Sequence, residues 1–133
     1  MILADTDVLI DYLAGVEPVT AQVAAYVEAD GLETTPITCF ELLSGAGEGK
    51  RGDIIRRLLM GIPVLPLDRE PAERAAEVRR ELSQTGETIG MGDSLIAGIA
   101  LAHGLPLFTR NRKHFERIAS LKLVDLAEGP RSA

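Results

Sequence analysis

Short apolar runs alternate with helical segments along this chain, and that alternation limits its possible folds more than any other feature. Apolar residues recur at helical spacing between the runs, for example at Val8, Leu9, Tyr12 and Leu13. The runs themselves predict buried strands at residues 2–5, 32–36, 64–67, 107–109 and 122–125. Parallel strands need helical crossovers, so the pattern predicts an α/β fold of three layers. We expect a central parallel sheet of four to five short strands flanked by helices.

The length of 133 residues predicts a single domain over 1–133 with an ordinary hydrophobic core. The last few residues are expected to form a flexible tail. A lone cysteine, Cys39, excludes a disulfide within the chain and favours a reducing, cytoplasmic setting. Residues 1–14 contain three aspartates and lack the basic start of a signal peptide. No apolar run approaches membrane-spanning length, so no membrane association is expected.

Four acidic or amide side chains occur where a predicted strand meets a helix, or in the first turns of a helix. They are Asp5, Glu41, Asp93 and Asn111. Because the carboxyl ends of parallel strands share one edge of a sheet, we expect these side chains to gather there. Carboxylate and amide oxygens suit a hard divalent cation such as Mg²⁺ or Mn²⁺. Without a cation, gathered carboxylates would raise one another's pKa.

Each of these four residues also has a purely structural explanation. Asp5 could be the N-cap of the first helix. Glu41 could complete a capping box at residues 38–41. Asp93 could be a cap or an acid favoured by the helix dipole, and Asn111 could stabilise a turn. Taken singly these explanations are favoured, and only the shared sheet edge argues for a common site.

A formal net charge of −6 argues against a general nucleic-acid binder. The basic residues Arg110, Arg112 and Lys113 nevertheless cluster directly after the last candidate site segment, where they could contact phosphates of RNA. A solvated helix face explains the same cluster. Near the other end of the chain, Asp7 could add a metal ligand or orient a water. Asp11, one helical turn further, is expected to face solvent.

Together, the segments 3–13, 38–45, 93–98 and 109–115 resemble the PIN-domain ribonucleases, in particular the VapC-like toxins of type II toxin–antitoxin pairs. No single motif is specific, but their order, spacing and chain length are similar over nearly the whole sequence. The resemblance implies a PIN-like fold and an endoribonuclease that needs Mg²⁺ or Mn²⁺. It also implies RNA as substrate, a homodimer, and a cognate antitoxin protein that occupies the site.

The resemblance also implies which residues do the chemistry. Asp5, Glu41 and Asp93 match the family's three acidic positions and are the expected catalytic residues. Asp5 and Asp93 would be metal ligands, directly or through water, and Glu41 would be a ligand or would position the attacking water. Asn111 falls where many relatives carry a fourth acid, so it is a weaker candidate ligand. Thr109 could add a hydroxyl to the same corner, with Asp7 as a further supporting residue.

Three other classes of protein remain open. A non-catalytic PIN-like interaction protein would share the whole resemblance. The Asp-x-Asp opening at residues 5–7 also fits haloacid-dehalogenase-like phosphatases, but no second acid closely follows Asp93. A receiver-type signalling domain would use Asp68 as phosphoacceptor, yet Arg110 stands where its lysine should follow a late strand.

Overall fold

The computed structural model describes residues 1–126 of the chain. Its sheet is parallel, with the strand order β2-β1-β3. The three strands are β1 (Ile2–Ala4), β2 (Leu32–Glu33) and β3 (Leu107–Phe108). In the central strand, Leu3 lies opposite Glu33 on one side and Leu107 on the other. The first strand of the sequence is therefore the centre of the sheet, and the segment that follows it lies in the middle of the carboxyl edge.

The prediction of four to five strands is wrong, because the described residues form three. The segments at 64–67 and 122–125 each meet the sheet at one isolated parallel bridge. In the first segment the bridge joins Thr34 to Val64, and Leu65 donates its N–H to the Thr34 carbonyl at 2.9 Å. Pro66 follows and has no N–H with which to continue the ladder.

The segment at 122–125 stops pairing for a different reason. It exchanges backbone hydrogen bonds with Leu107 alone. The carbonyl of Val124 accepts a hydrogen bond from the Arg112 guanidinium at 2.8 Å, and that of Asp125 accepts one from the Gln22 amide at 2.8 Å. Side chains thus take the carbonyls that a longer strand would offer to its neighbour.

Helices cover both faces of the sheet. In chain order they are α1 (Thr6–Leu13), α2 (Val19–Glu28), α3 (Pro36–Ala46), α4 (Lys50–Met60), α5 (Arg69–Gln84), α6 (Met91–His103) and α7 (Arg112–Phe115). Within residues 1–126, no helix is both long enough and apolar enough to cross a membrane. The expected tail falls mostly at 127–133, outside the described residues.

Two hydrophobic clusters lie on opposite faces of the sheet, as the alternation of side chains along a strand requires. Ile2 and Ala4 of β1 pack with α1 to α4 in one cluster. Leu3 packs with α5, α6 and α7 in the other. This arrangement is the predicted α/β fold of three layers, with helices on both sides of a parallel sheet.

Candidate active site at the carboxyl edge of the sheet

Asp5 lies at the centre of the carboxyl edge, between β1 and α1. It is the N-cap of α1, and its Oδ1 accepts a hydrogen bond from the Thr6 backbone N–H at 2.8 Å. Its Oδ2 accepts another from the Thr109 hydroxyl at 2.8 Å, and only 6% of the residue is exposed. The capping explanation of Asp5 therefore holds for one oxygen, while the other faces the end of β3.

Burial raises the pKa of Asp5 to about 7, and the nearby charge of Asp7 adds to the effect. Asp93 raises the pKa of Asp5 further, although it comes from a distant part of the sequence. The hydrogen bonds from Thr109 and Thr6 act in the opposite direction but do not cancel these effects. Asp5 is thus a buried acid that lies near two other acids and forms no ion pair with a described residue.

Asp7 lies at the start of α1 and is held by the backbone of the segment after β3. Its two carboxylate oxygens accept from the Arg110 N–H at 3.1 and 3.2 Å. Burial raises the pKa of Asp7, and the Arg110 hydrogen bond opposes that rise. The Arg110 guanidinium pairs with Asp11 at 2.7 Å, and the Asp11 side chain, which was expected to face solvent, is 26% exposed in this pair. This pair ties α1 to the chain after β3.

Glu41 reaches the same edge from α3. That helix begins at Pro36 with Thr35 as its cap, so the capping box suggested at residues 38–41 does not form. Instead, Glu41 Oε1 accepts a hydrogen bond from the Thr6 hydroxyl at 2.6 Å. Its Oε2 lies 4.0 Å from the position that a Cβ on Gly92 would occupy. Glu41 therefore lies between the start of α1 and the start of α6.

Asp93 lies in the first turn of α6, whose N-cap is Gly90, so it is a first-turn acid rather than the cap itself. Its Oδ2 is 3.4 Å from Nδ1 of His114, and Asn111 Nδ2 is 2.8 Å from the same nitrogen. That nitrogen can accept from the amide or, when it carries a hydrogen, donate to the carboxylate, but not both at once. His114 Nδ1 thus lies between Asp93 and Asn111 and can form a hydrogen bond with one of them at a time.

Sequence reasoning did not place His114 in the site. The available signal was its spacing, because His114 follows Asn111 by three residues and three-residue spacing brings side chains together in a helical turn. Thr109, by contrast, lies where it was expected. Its hydroxyl donates to Asp5 and accepts from the Asn111 N–H at 3.0 Å, so it joins two of the candidate residues.

The three basic residues predicted to contact RNA phosphates have different surroundings. Arg110 is paired with Asp11. Arg112 donates to the Val124 carbonyl and lies 3.7 Å from Asp125. Lys113 is exposed, and it has no hydrogen bond or ion pair with any residue in the described part of the chain. Of these three residues, Lys113 is therefore the most available to a ligand.

The donor set at this edge suits a hard divalent cation, because it consists of carboxylate, amide and hydroxyl oxygens. When it is ionised, the buried Asp5 carboxylate is also a negative charge without a positive partner among the described residues. No three His, Cys, Asp or Glu side chains of residues 1–126 are already grouped closely enough to hold an ion by themselves. Mg²⁺ fits such a partial shell, because it keeps several waters when it binds to one or two carboxylates.

An open apolar groove with a volume of about 420 Å³ begins beside Glu41. Phe40 and Met91 are 69% and 68% exposed there, and together with the rest of the lining they form one exposed apolar surface. Pro36, Ile37, Leu67, Gly92 and Leu95 complete its lining. The sequence gives only a weak signal for this groove, since the apolar residues of α3 do not form a single stripe. The groove and the acidic edge share Glu41 as a border.

Comparison with known proteins gives consistent matches over nearly the whole chain. The family profile of the PIN domain matches residues 2–121. Ribonuclease VapC10 of Mycobacterium tuberculosis is 34% identical over 122 residues, which cover 92% of this chain and 91% of that protein. Ribonuclease VapC1 of Methanocaldococcus jannaschii is 31% identical over 126 residues, which cover 93% of this chain and 87% of that protein.

Solved structures of toxin–antitoxin complexes have the same fold. VapBC from Salmonella typhimurium, bound to DNA, aligns with a TM-score of 0.81 and 25% identity, covering 94% of this chain and 98% of that one. VapBC2 from Rickettsia felis, bound to a DNA fragment from its promoter, aligns with a TM-score of 0.80 and 25% identity. That alignment covers 93% of this chain and 98% of the other.

Proposed function

The chain belongs to the PIN domain family, and we propose that it is a metal-dependent endoribonuclease acting in the cytoplasm as the toxin of a toxin–antitoxin pair. Similar proteins are named ribonucleases, and similar structures are VapBC complexes. The observation in this structure that carries the proposal is Asp5. A carboxylate that is buried, close to other acids and without a cationic partner is unfavourable for folding, and a bound cation would relieve that cost.

Asp5 and Asp93 are the residues that would hold Mg²⁺ or Mn²⁺, with Glu41 and Asn111 as further candidate ligands. When bound, such an ion supplies a water of lowered pKa and neutralises charge that develops on the scissile phosphate. Glu41 keeps Oε2 available to orient that water, since Oε1 is bound to Thr6. These roles make Asp5, Glu41 and Asp93 the proposed catalytic residues.

Thr109 and Asp7 support this arrangement without touching the phosphate. The Thr109 hydroxyl donates a hydrogen bond to one oxygen of Asp5 and accepts one from the Asn111 N–H. Asp7 is held against the backbone of Arg110, which keeps the start of α1 next to the end of β3. Both contacts restrict the motion of Asp5, and a fixed ligand loses less entropy when an ion binds.

RNA binding would use the basic cluster that follows Thr109. Lys113 is free to contact a phosphate on either side of the cut, and such contacts add affinity without sequence preference. Arg110 and Arg112 would contribute only by sharing or exchanging their present partners.

The apolar groove beside Glu41 provides a surface for the antitoxin. A segment with apolar side chains would cover Phe40 and Met91 and lie across the acidic edge, so binding would block access of RNA to Glu41. Similar solved structures are VapBC complexes, which supports an antitoxin partner for this chain. We also propose that the protein forms a homodimer.

A non-catalytic PIN-like interaction protein is the alternative within the same family. The observation that favours it is the partial grouping of the acids, since no three of the described side chains are already arranged around one point. Membership of the PIN domain family removes the phosphatase and receiver alternatives. The position of Asp68 is consistent with that conclusion, because Asp68 is the N-cap of α5 and does not lie in the group around Asp5.

The test is cleavage of a 5′-labelled pool of cellular RNA by the purified protein with Mg²⁺, with Mn²⁺ and with a chelator. We expect discrete fragments with either metal, none with the chelator, and loss of cleavage in Asp5→Asn and Asp93→Asn. Asp53→Asn is the matched control, because Asp53 is an exposed acid on α4 whose one ion pair among residues 1–126 is with Arg56. Absence of cleavage combined with absence of Mn²⁺ binding by calorimetry would favour the non-catalytic alternative.

A further inference from the structure

Three threonine hydroxyls form a chain that ends on Glu41. The Thr35 and Thr38 hydroxyl oxygens are 3.3 Å apart, and those of Thr38 and Thr6 are 3.0 Å apart. The last contact, from Thr6 to Glu41 Oε1, is 2.6 Å. This distance is at the short end for an O–H···O hydrogen bond and is typical of a carboxylate acceptor.

The positions of the hydrogens follow from counting donors. A carboxylate only accepts, so Thr6 must give its single hydrogen to Glu41. The 3.0 Å contact then needs a hydrogen from Thr38, and the 3.3 Å contact needs one from Thr35. Thr35 in turn accepts from the Thr38 backbone N–H at 3.1 Å. If Thr38 gave its hydrogen to Thr35 instead, no hydrogen would lie between the Thr6 and Thr38 oxygens.

This series of hydrogen bonds connects buried, fixed threonines to the mobile side chain of Glu41. Thr35 and Thr38 are fully buried at the start of α3, and Thr6 is half-buried at the start of α1. Glu41 is exposed and has three rotatable bonds, so it would otherwise sample several rotamers. Hydrogen bonds in such a series polarise one another, which strengthens the last one.

Resting on the proposed function, we propose that Thr6 is a positioning residue that selects which oxygen of Glu41 acts in the site. Thr6 binds Oε1 and thereby leaves Oε2 directed toward the start of α6, where Asp93 lies. Thr35 and Thr38 fix the direction of the Thr6 hydroxyl. Thr6 itself touches neither the phosphate nor the metal.

The test measures kcat and KM on one RNA for wild type, Thr6→Val and Thr6→Ser. Valine keeps the shape of threonine and removes the hydroxyl, while serine keeps the hydroxyl. We expect Thr6→Val to lower kcat about ten- to a hundredfold with KM nearly unchanged, as for loss of a hydrogen bond to a charged group. Thr6→Ser retains most of the activity. A kcat for Thr6→Val close to wild type, or an equal loss in both variants, would overturn the proposal.

A double variant separates positioning from a general effect on the fold. If Thr6 acts only through Glu41, Thr6→Val causes no further loss of kcat in a Glu41→Ala background. An additive loss would show that Thr6 acts in another way.

Crystal structures of wild type, Thr6→Ser and Thr6→Val give a measurement independent of cleavage. We expect Glu41 to keep its orientation in the first two and to adopt other rotamers in the third. An unchanged Glu41 in Thr6→Val would refute the proposal even in an active enzyme. If the wild-type chain cleaves no RNA, the proposed function fails, while these structures still decide whether Thr6 holds Glu41.

Discussion

Folding and catalysis favour opposite protonation states of Asp5. Folding favours the neutral acid, since burial and neighbouring acids raise its pKa to about 7. Metal binding and catalysis need the carboxylate, which has no cationic partner among the described residues. The residue therefore makes the metal-free protein less stable near neutral pH, and this cost can be measured.

We expect the metal-free protein to lose stability as the pH rises from about 4 to about 7. The folded state holds the Asp5 proton up to about pH 7, whereas the unfolded chain releases it near 3.8. The stabilisation from that proton is thus fully present below 3.8 and is lost as the pH passes 7. The slope is at most about 1.4 kcal/mol per pH unit.

Chemical denaturation of wild type and Asp5→Asn in chelator, at several pH values in that range, checks this prediction. Asparagine cannot ionise, so the stability of Asp5→Asn relative to wild type should increase toward pH 7. Asp53→Asn should follow the wild-type curve. Parallel curves for wild type and Asp5→Asn would show that Asp5 titrates normally.

Arg112 and Lys113 are neighbours in sequence with different expected roles. Arg112→Ala removes the hydrogen bond to the Val124 carbonyl, so we expect a loss of about 1 kcal/mol in the free energy of unfolding. Lys113→Ala should leave stability unchanged and weaken RNA binding, with a shallower dependence on salt. Thermal unfolding and binding titrations at several salt concentrations measure the two effects. Equal salt dependence in Lys113→Ala and wild type would show that Lys113 does not contact RNA phosphates.

At the scale of the elements, the sequence predicts the type of most segments and is less reliable about where they begin and pair. The start of α3 is an example. Two threonines compete as its cap, and the helix begins after Thr35, because Pro36 suits the first helical position. Thr38 is therefore buried within the first turn and bonds to Thr6. The segment at 122–125 stops pairing for a similar reason, since Arg112 and Gln22, which bind its carbonyls, come from other parts of the sequence.

The contact between α5 and α6 depends on Gly98. A Cβ at this position would collide with the Pro71 carbonyl and lie 2.8 Å from the Ala75 Cβ. We expect Gly98→Ala to destabilise the fold by about 1–3 kcal/mol, because the helices would have to separate. Gly45→Ala in α3 is the matched control, since nothing lies within 4 Å of its Cβ position. Alanine there should be neutral or stabilise by up to about 1 kcal/mol.

Thermal and chemical unfolding of both glycine variants provides the measurement. Because α6 also carries Asp93, Gly98→Ala should weaken Mn²⁺ binding as well. If Gly98→Ala were as stable as Gly45→Ala, close packing of α5 on α6 would not contribute to the fold.

At the scale of the whole molecule, the topology of the sheet brings together candidate site residues that are distant in sequence. The parallel order predicts that Asp5 and Asp93 meet at one edge, and the effect of Asp93 on the pKa of Asp5 agrees with that prediction. The contacts of His114 and the groove beside Phe40 depend on the exact angles between helices, which no periodicity in the sequence specifies. Sequence reasoning therefore finds the edge, and the structure is needed for the side chains that complete it.

Because the candidate ligands come from the junction of β1 with α1, from α3 and from α6, the complete metal site exists only in the folded chain. A ligand that binds the folded state alone stabilises it by about 2.7 kcal/mol at a hundred times its Kd. We therefore expect Mn²⁺ to raise the melting temperature of wild type, and to do so more at pH 7.5 than at pH 5.5, because protons compete for Asp5 at the lower pH. The increase should be much smaller in Asp93→Asn, although that residue lies 88 positions from Asp5 (93 − 5). An equal increase in wild type and Asp93→Asn would place the ion elsewhere, and no increase in either would argue against a metal site at this edge.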